Sequence, residues 1–122
     1  MIAYKIVGSD YRSLVVRRDS RYSLYYSVGS VVFSLPNTIG ILCFSCLSSA
    51  RYFARLYKDI CAPRTLIVNG YVPRPVPLEI CCSPLERDFD DYYNSGTLRL
   101  ATTPTDTVCF NHVEVLKEIN NE

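Results

Sequence analysis

The spacing of apolar residues changes once along this chain, and that change limits the folds open to it. Up to residue 44 the apolar positions alternate or form short β-branched and aromatic runs, at residues 2–7, 13–17, 24–28, 31–33 and 41–44. Clusters rich in Gly, Pro, Asn, Asp and Ser separate most of them, as turns separate strands. In the first run Tyr4 and Ile6 fall on one face, and Ala3, Lys5 and Val7 on the other. Beyond the fifth run the period becomes helical. Ala50, Phe53, Leu56, Tyr57 and Ile60 share one side, and Arg51, Arg55, Lys58 and Asp59 take the opposite one. This predicts an amphipathic helix over about 48–61, with Ser48 or Ser49 as its N-cap. Pro63 stops it, because proline cannot continue a helical backbone.

The second half is more punctuated. Residues 65–68 (TLIV) read as a strand that either turns at Asn69-Gly70 or runs on through Tyr71 and Val72. Pro73, Pro75 and Pro77 place the following residues on a sheet edge or in an extended connector. Residues 78–82 form a short strand. Ser83-Pro84 has the form of an N-cap followed by proline at the first helical position, opening an acidic helix over about 84–94 that ends at Asn94-Ser95-Gly96. Residues 107–110 and 112–117 read as one terminal strand or a pair of strands, before a polar tail, Asn120-Asn121-Glu122, expected to fray. The expectation is one α+β domain over residues 1–122. It has a mostly antiparallel sheet of roughly five to seven strands, with the first helix packed on it and the second short.

Hydrophobic residues make up 48% of the chain and the net charge is +1, which excludes intrinsic disorder and a polyanion-binding character spread over the whole molecule. The charge is uneven, at +5 over residues 1–61 and −4 over residues 62–122. Such a split suits head-to-tail association or a partner of opposite sign; it also arises when both sets simply solvate a surface. No apolar run is long enough to span a bilayer, so no membrane partner is expected. The opening residues, MIAYKIVGSD, lack the basic-then-apolar layout of a secretory signal, which points to a reducing compartment.

No residue set satisfies a catalytic or metal-binding pattern. Cys43 and Cys46 lie inside the apolar run ILCFSCL without a turn residue between them, Cys81 and Cys82 are adjacent, and Cys61 and Cys109 stand alone. Paired thiolates in knuckle-like turns are what structural zinc needs, so no metal and no cofactor are expected. The place of Cys46 just before the predicted helix would lower its thiol pKa. His112, the single histidine, lies three residues from Cys109, which puts the two side chains on opposite faces of a strand. Glu86, Asp88, Asp90 and Asp91 match neither a calcium loop nor a two-metal site. The five glycines stand singly, without a phosphate-cradling loop. The remaining pattern is a segment in which Arg12, Arg17, Arg18 and Arg21 are interspersed with Tyr22, Tyr25 and Tyr26. Guanidinium groups beside exposed rings bind single-stranded nucleic acid or a protein surface; the same residues also build a sheet whose tyrosines are core and whose arginines are solvated.

Several segments together resemble a family of small α+β domains from phages and large DNA viruses: YKIV at residues 4–7, Tyr26-x-x-Gly29, GILCFSCLSSARYFA at 40–54, TLIV at 65–68, and Asp106-Thr107-Val108 with Val113-Glu114-Val115-Leu116. Asp106 stands where that family has glycine. The resemblance implies the fold and a viral setting, intracellular in the host cytoplasm or in the virion, and implies no activity. The joint from strand to first helix is more distantly similar to ADP-ribosyltransferases. That likeness implies a pocket at Tyr4, Ser45 and Ser48, with Ser49 beside them and Lys5 near the place of an Arg or His; Glu114 is a weak candidate for the catalytic glutamate. The leading expectation is a non-enzymatic interaction or structural protein, accessory or virion-associated. It binds a protein partner, or itself, through a sheet edge or a tyrosine-rich surface. A degenerate transferase and a weak nucleic-acid-binding module are the alternatives.

Overall fold

The computed structural model describes residues 1–81, 83–94 and 100–119. Its centre is a sheet that closes on itself. β1 (Ile2–Val7) lies between β3 (Ile41–Phe44) and β4 (Arg64–Arg74), and β7 (Thr107–Ile119) pairs with both β3 and β4. These four strands therefore form a ring, all antiparallel, and β2 (Val31–Phe33) extends it along β7. A second, two-stranded sheet joins β5 (Glu79–Cys81) to β6 (Leu100–Thr102). The class is the expected one, α+β with a mostly antiparallel sheet.

The alternation expected of β1 is the alternation found. Ala3 and Val7 face a core shared with Tyr26, Ile41, Cys43, Leu66, Val68, Phe110, Val113 and Val115. Ile6 faces outward, where it joins Phe44, Ala50 and Ala54, with Tyr4 and Phe53 against them. One strand thus serves two cores, inside the ring and beneath a helix. Gly70 is where the ring is tightest: a Cβ there would sit 2.4 Å from the Phe110 ring, so only glycine leaves room for that side chain. β7 carries an extra residue opposite the step from Ile67 to Val68, whose partners are Lys117 and Val115, which makes Leu116 a bulge.

The helix expected over 48–61 is two pieces, α1 (Leu47–Leu56) and α2 (Lys58–Cys61), broken at Tyr57. Pro63 follows their end, and Ala62 is left-handed at φ 42°. The break turns Leu56 and Ile60 to solvent, so Ala50 and Ala54 are the residues α1 buries. Its N-cap is Cys46 rather than Ser48 or Ser49. The serines are engaged elsewhere: the Ser49 hydroxyl donates to Asp106 Oδ2 at 2.6 Å, and Ser48 Oγ lies 3.0 Å from Cys46 Sγ.

Residues 13–17 and 24–28, expected as strands, are not strands; they make only the bridges Val7–Ser13 and Arg12–Tyr25, because β3 and β4 already occupy both sides of β1. Of the alternatives at Asn69-Gly70 the structure takes the extended one, and the chain runs on to Arg74 as one strand. The C-terminal segment is likewise a single strand, β7, rather than a pair, and β6 had no sequence counterpart. The acidic helix is α3 (Glu86–Asn94), and the Ser83 hydroxyl accepts from Leu85 N at 3.2 Å, as a capping serine does. Of the expected stop at Asn94-Ser95-Gly96 only Asn94 is described; Cys82, Arg99 and the tail Asn120-Asn121-Glu122 lie outside the described residues. No helix among the described residues is long and apolar enough to cross a membrane.

Candidate functional site

The arginine and tyrosine segment is divided by the fold. Tyr26 is buried in the ring core, and desolvation raises its phenol pKa. Tyr22 packs on α3, with its ring 5.3 Å from Phe89 and 5.6 Å from Tyr93. Its hydroxyl donates to Asp90 at 2.6 Å, and burial with that bond moves its pKa up to about 12. The Arg21 guanidinium covers the Tyr22 ring and pairs with the same Asp90 carboxylate, and the Arg21 backbone N–H donates to Glu86 Oε1 at 2.7 Å. Arg18 pairs with Asp10 at 3.0 Å and Arg17 with Asp19 at 3.5 Å. Arg12 lies over the exposed Tyr25 ring at 5.5 Å. Arg21 is thus the basic residue of this segment that pairs with an acid of α3, while Arg17 and Arg18 pair with acids of the first half itself.

A second aromatic group had no sequence signal. On the outer face of the ring, β2, β7 and β4 place Phe33, His112 and Tyr71 in register. The three rings stack, with centroids 4.8 Å apart for Phe33 and His112 and 5.1 Å for His112 and Tyr71, and the planes tilted by 25° and 12°. Phe33 is 61% exposed, and Val31, two residues before it on β2, is exposed as well. Only strand register joins residues 33, 71 and 112, and short-range pattern does not carry register.

The residues of the transferase-like reading are dispersed. Tyr4 packs with Phe44 and α1 on the outside of the ring. Ser45 is exposed, its N–H and hydroxyl directed at Asp106 O, at 2.9 and 3.3 Å. Ser48 is exposed on α1 and lines a recess of about 570 Å³ with Ser49, Tyr52 and Thr103. Asp106 has φ 64°, the left-handed backbone that glycine or a short acidic side chain adopts. Glu114 sits on the outer face, its carboxylate 3.5 Å from the Tyr71 hydroxyl.

The thiols separate by environment. Burial pushes the Cys43 thiol up to about 12, and raises those of Cys109 and Cys61. At the head of α1 the Cys46 thiol moves the other way, lowered by its bond with Ser48 and by the backbone N–H groups of Ser49 and Ser48. Among the described residues no three His, Cys, Asp or Glu side chains gather as a metal site, and Cys43, Cys46, Cys61 and Cys109 are free thiols.

Between the ring and the lobe formed by β5, β6 and α3 lies a cavity of about 180 Å³. Lys5, Leu24, Tyr26, Ile41, Phe53 and Phe89 are among its lining residues. Comparisons with protein-family models, curated proteins and solved structures return no match for this chain.

Proposed function

We propose that this chain is a non-enzymatic interaction protein that binds an extended segment of another protein along the outer side of β2. The observation that carries this reading is the hydrogen-bond phase of that strand. Ser30 O accepts from Val115 N at 2.9 Å and Ser34 N donates to Asn111 O at 2.8 Å, both towards β7. Alternation then turns the backbone N–H and C=O of Val31 and Phe33 away from β7. Among the described residues of the main sheet β1, β3, β4 and β7 each have neighbours on both sides, whereas β2 has one. A strand added there would gain backbone bonds from Val31 and Phe33, and side-chain contact with their exposed apolar groups and the ring stack behind them. A viral setting, in the host cytoplasm or the virion, goes with the resemblance to phage and large-DNA-virus domains and belongs to this proposal. The transferase reading has less support, since Tyr4 and the serines face different surroundings. The nucleic-acid reading has less support too, since Arg17, Arg18 and Arg21 already face carboxylates.

Selection of a displayed peptide library on the full chain tests the proposal. Extended segments with alternating apolar residues are expected to be recovered, and to slow amide exchange at Val31 and Phe33 when bound. The double variant Val31→Lys, Phe33→Lys is expected to weaken them by about tenfold or more, because charge on an edge opposes strand addition. Tyr52→Lys, on the exposed side of α1, is expected to leave binding unchanged. Segments that bind the double lysine variant as well as the parent, or a library yielding none, would refute it. A dimer lost with the same two substitutions would assign the edge to self-association instead.

A further inference from the structure

The cavity beside the ring holds a lysine with no carboxylate partner among the described residues. Lys5 is carried inward by the alternation that buries Ala3 and Val7 on either side of it. Its ammonium donates to Leu42 O at 2.8 Å and lies 5.3 Å from the centre of the Tyr26 ring. An ammonium has three N–H donors, and one carbonyl uses one of them. Among the described residues no carboxylate pairs with it. The titratable groups around it, the Cys43 and Cys109 thiols and the Tyr26 phenol, are kept protonated and neutral by burial. Desolvation accordingly lowers the Lys5 pKa. The residue keeps partial contact with solvent, as one lining an open cavity does.

Much of the rest of the wall is apolar or already satisfied. The Thr38, Thr107 and Tyr92 hydroxyls donate to the carbonyls of Leu35, Pro104 and Glu79 at 2.8, 2.6 and 2.8 Å. Leu24, Ile41, Phe53 and Phe89 supply hydrocarbon. Lys5 thus brings unsatisfied cationic donors to a largely apolar wall, where an uncompensated charge is costly. A volume of about 180 Å³ is small beside drug-sized sites of roughly 300–1,000 Å³.

We propose that this cavity is a binding site for a small monocarboxylate with an apolar body, the carboxylate on Lys5 and the body against the leucine, isoleucine and phenylalanine wall. The site supplies the cation and the hydrocarbon, and the ligand supplies the missing anion. A bound carboxylate restores the charge balance that burial denies Lys5, so binding weakens as rising pH removes the lysine proton.

Titration calorimetry and thermal shift on the full chain, with benzoate and hexanoate as probes and benzamide and hexanol as neutral counterparts, test it. The carboxylates are expected to bind saturably and raise the Tm; the neutral pair is expected to bind at least about tenfold more weakly, the difference a charge-assisted bond makes. Lys5→Met is expected to lose the carboxylate preference while matching or exceeding the parent's Tm without ligand, since it removes a buried unpaired charge. NMR supplies a reading that needs no variant: benzoate should shift the Lys5 Nζ signal and leave those of Lys58 and Lys117 in place. Equal affinity for benzoate and benzamide, an unmoved Lys5 signal at saturation, or carboxylate binding retained in Lys5→Met would overturn the proposal. So would a chain that ignores the acids and instead yields a borohydride-stable adduct at Lys5 with benzaldehyde, which would assign the amine to carbonyl capture.

Discussion

In the ring Leu66, Val68, Val113 and Val115 are wholly enclosed, and β4 is bonded along both sides, by β1 and β7. In the lobe across the cavity, α3 buries no residue completely. It is fastened to residues 17–22 by polar links: Arg21 N to Glu86, Ser20 to Glu86 at 3.3 Å, Tyr22 and Arg21 to Asp90, and Arg17 N to Pro84 O at 3.2 Å, with the stack of Tyr22 on Phe89 beneath. Apolar burial, which does not titrate, holds most of the first region, with the Arg64–Glu118 pair at 3.0 Å added across β4 and β7. Exposed ion pairs and charge-assisted bonds hold the second, and these are individually weak and screened by salt. The cavity lies where the two meet, so the rigid region carries Lys5 and the loosely held one supplies part of the wall.

The largest expected effect lies in the ring. Phe110→Ala should destabilise it by about 3–5 kcal/mol, the range for removing a fully buried phenyl group. Gly70→Ala should cost about 1–3 kcal/mol by overpacking the same ring. The two are not independent: in the Phe110→Ala background the added methyl has space, and Gly70→Ala should become nearly neutral. Urea melts of the four proteins measure this coupling. Additive losses would show that Gly70 answers to something other than Phe110, and that the ring is less tightly closed than its pairing implies.

Much of this region was legible in the sequence because it depends on short-range pattern. The faces of β1, the limits of β3 and the site of α1 follow from alternation, from the helical period and from Pro63. The cap of α1 was not legible, because what engages Ser49 is Asp106, fifty-seven residues away. Nor was the fate of residues 13–17: their composition suits a strand, but the ring leaves β1 no free side. The candidate sites were less legible still. Arg21 and Tyr22 were visible as a basic-aromatic group, but their neutralisation by Asp90 depends on where α3 docks. Phe33, His112 and Tyr71 meet only through register. Lys5 did leave a trace, a charged residue at an inward position of an apolar strand, whose meaning required the cavity.

Acid should separate the two regions. The Tyr22 hydroxyl, and then Arg21, hold the Asp90 carboxyl below its ordinary value of 3.8. A group whose folded pKa is depressed stabilises the fold above its unfolded pKa, and that contribution is lost as pH falls through the folded value. Residues 17–22 and α3 should therefore lose amide protection and become protease-sensitive below about pH 4, while β4 and β7 stay protected. Asp90→Asn should open the same segments at neutral pH, and high salt should do so partially. Loss of protection in ring and lobe together, at one pH, would break the distinction.

The smallest effects, and the sharpest local probe, come from the thiols. Cys43 and Cys109 lie in the ring with raised pKa values, and Cys46 stands at the head of α1 with a lowered one. Since the thiolate is the nucleophile, iodoacetamide at mildly alkaline pH should label Cys46 first, and Cys61, raised by partial burial, more slowly. Ser48→Ala removes the hydroxyl that favours the Cys46 thiolate and should slow its labelling a few-fold, about the loss of one hydrogen bond, without changing the melting curve. Cys43 should react only when the ring opens, so its labelling rate should follow global unfolding in urea and be insensitive to Asp90→Asn. Labelling of Cys43 at a rate near that of Cys46 in native buffer would mean that the ring opens locally next to Lys5, and the division between a rigid ring and a yielding lobe would have to be redrawn through β3.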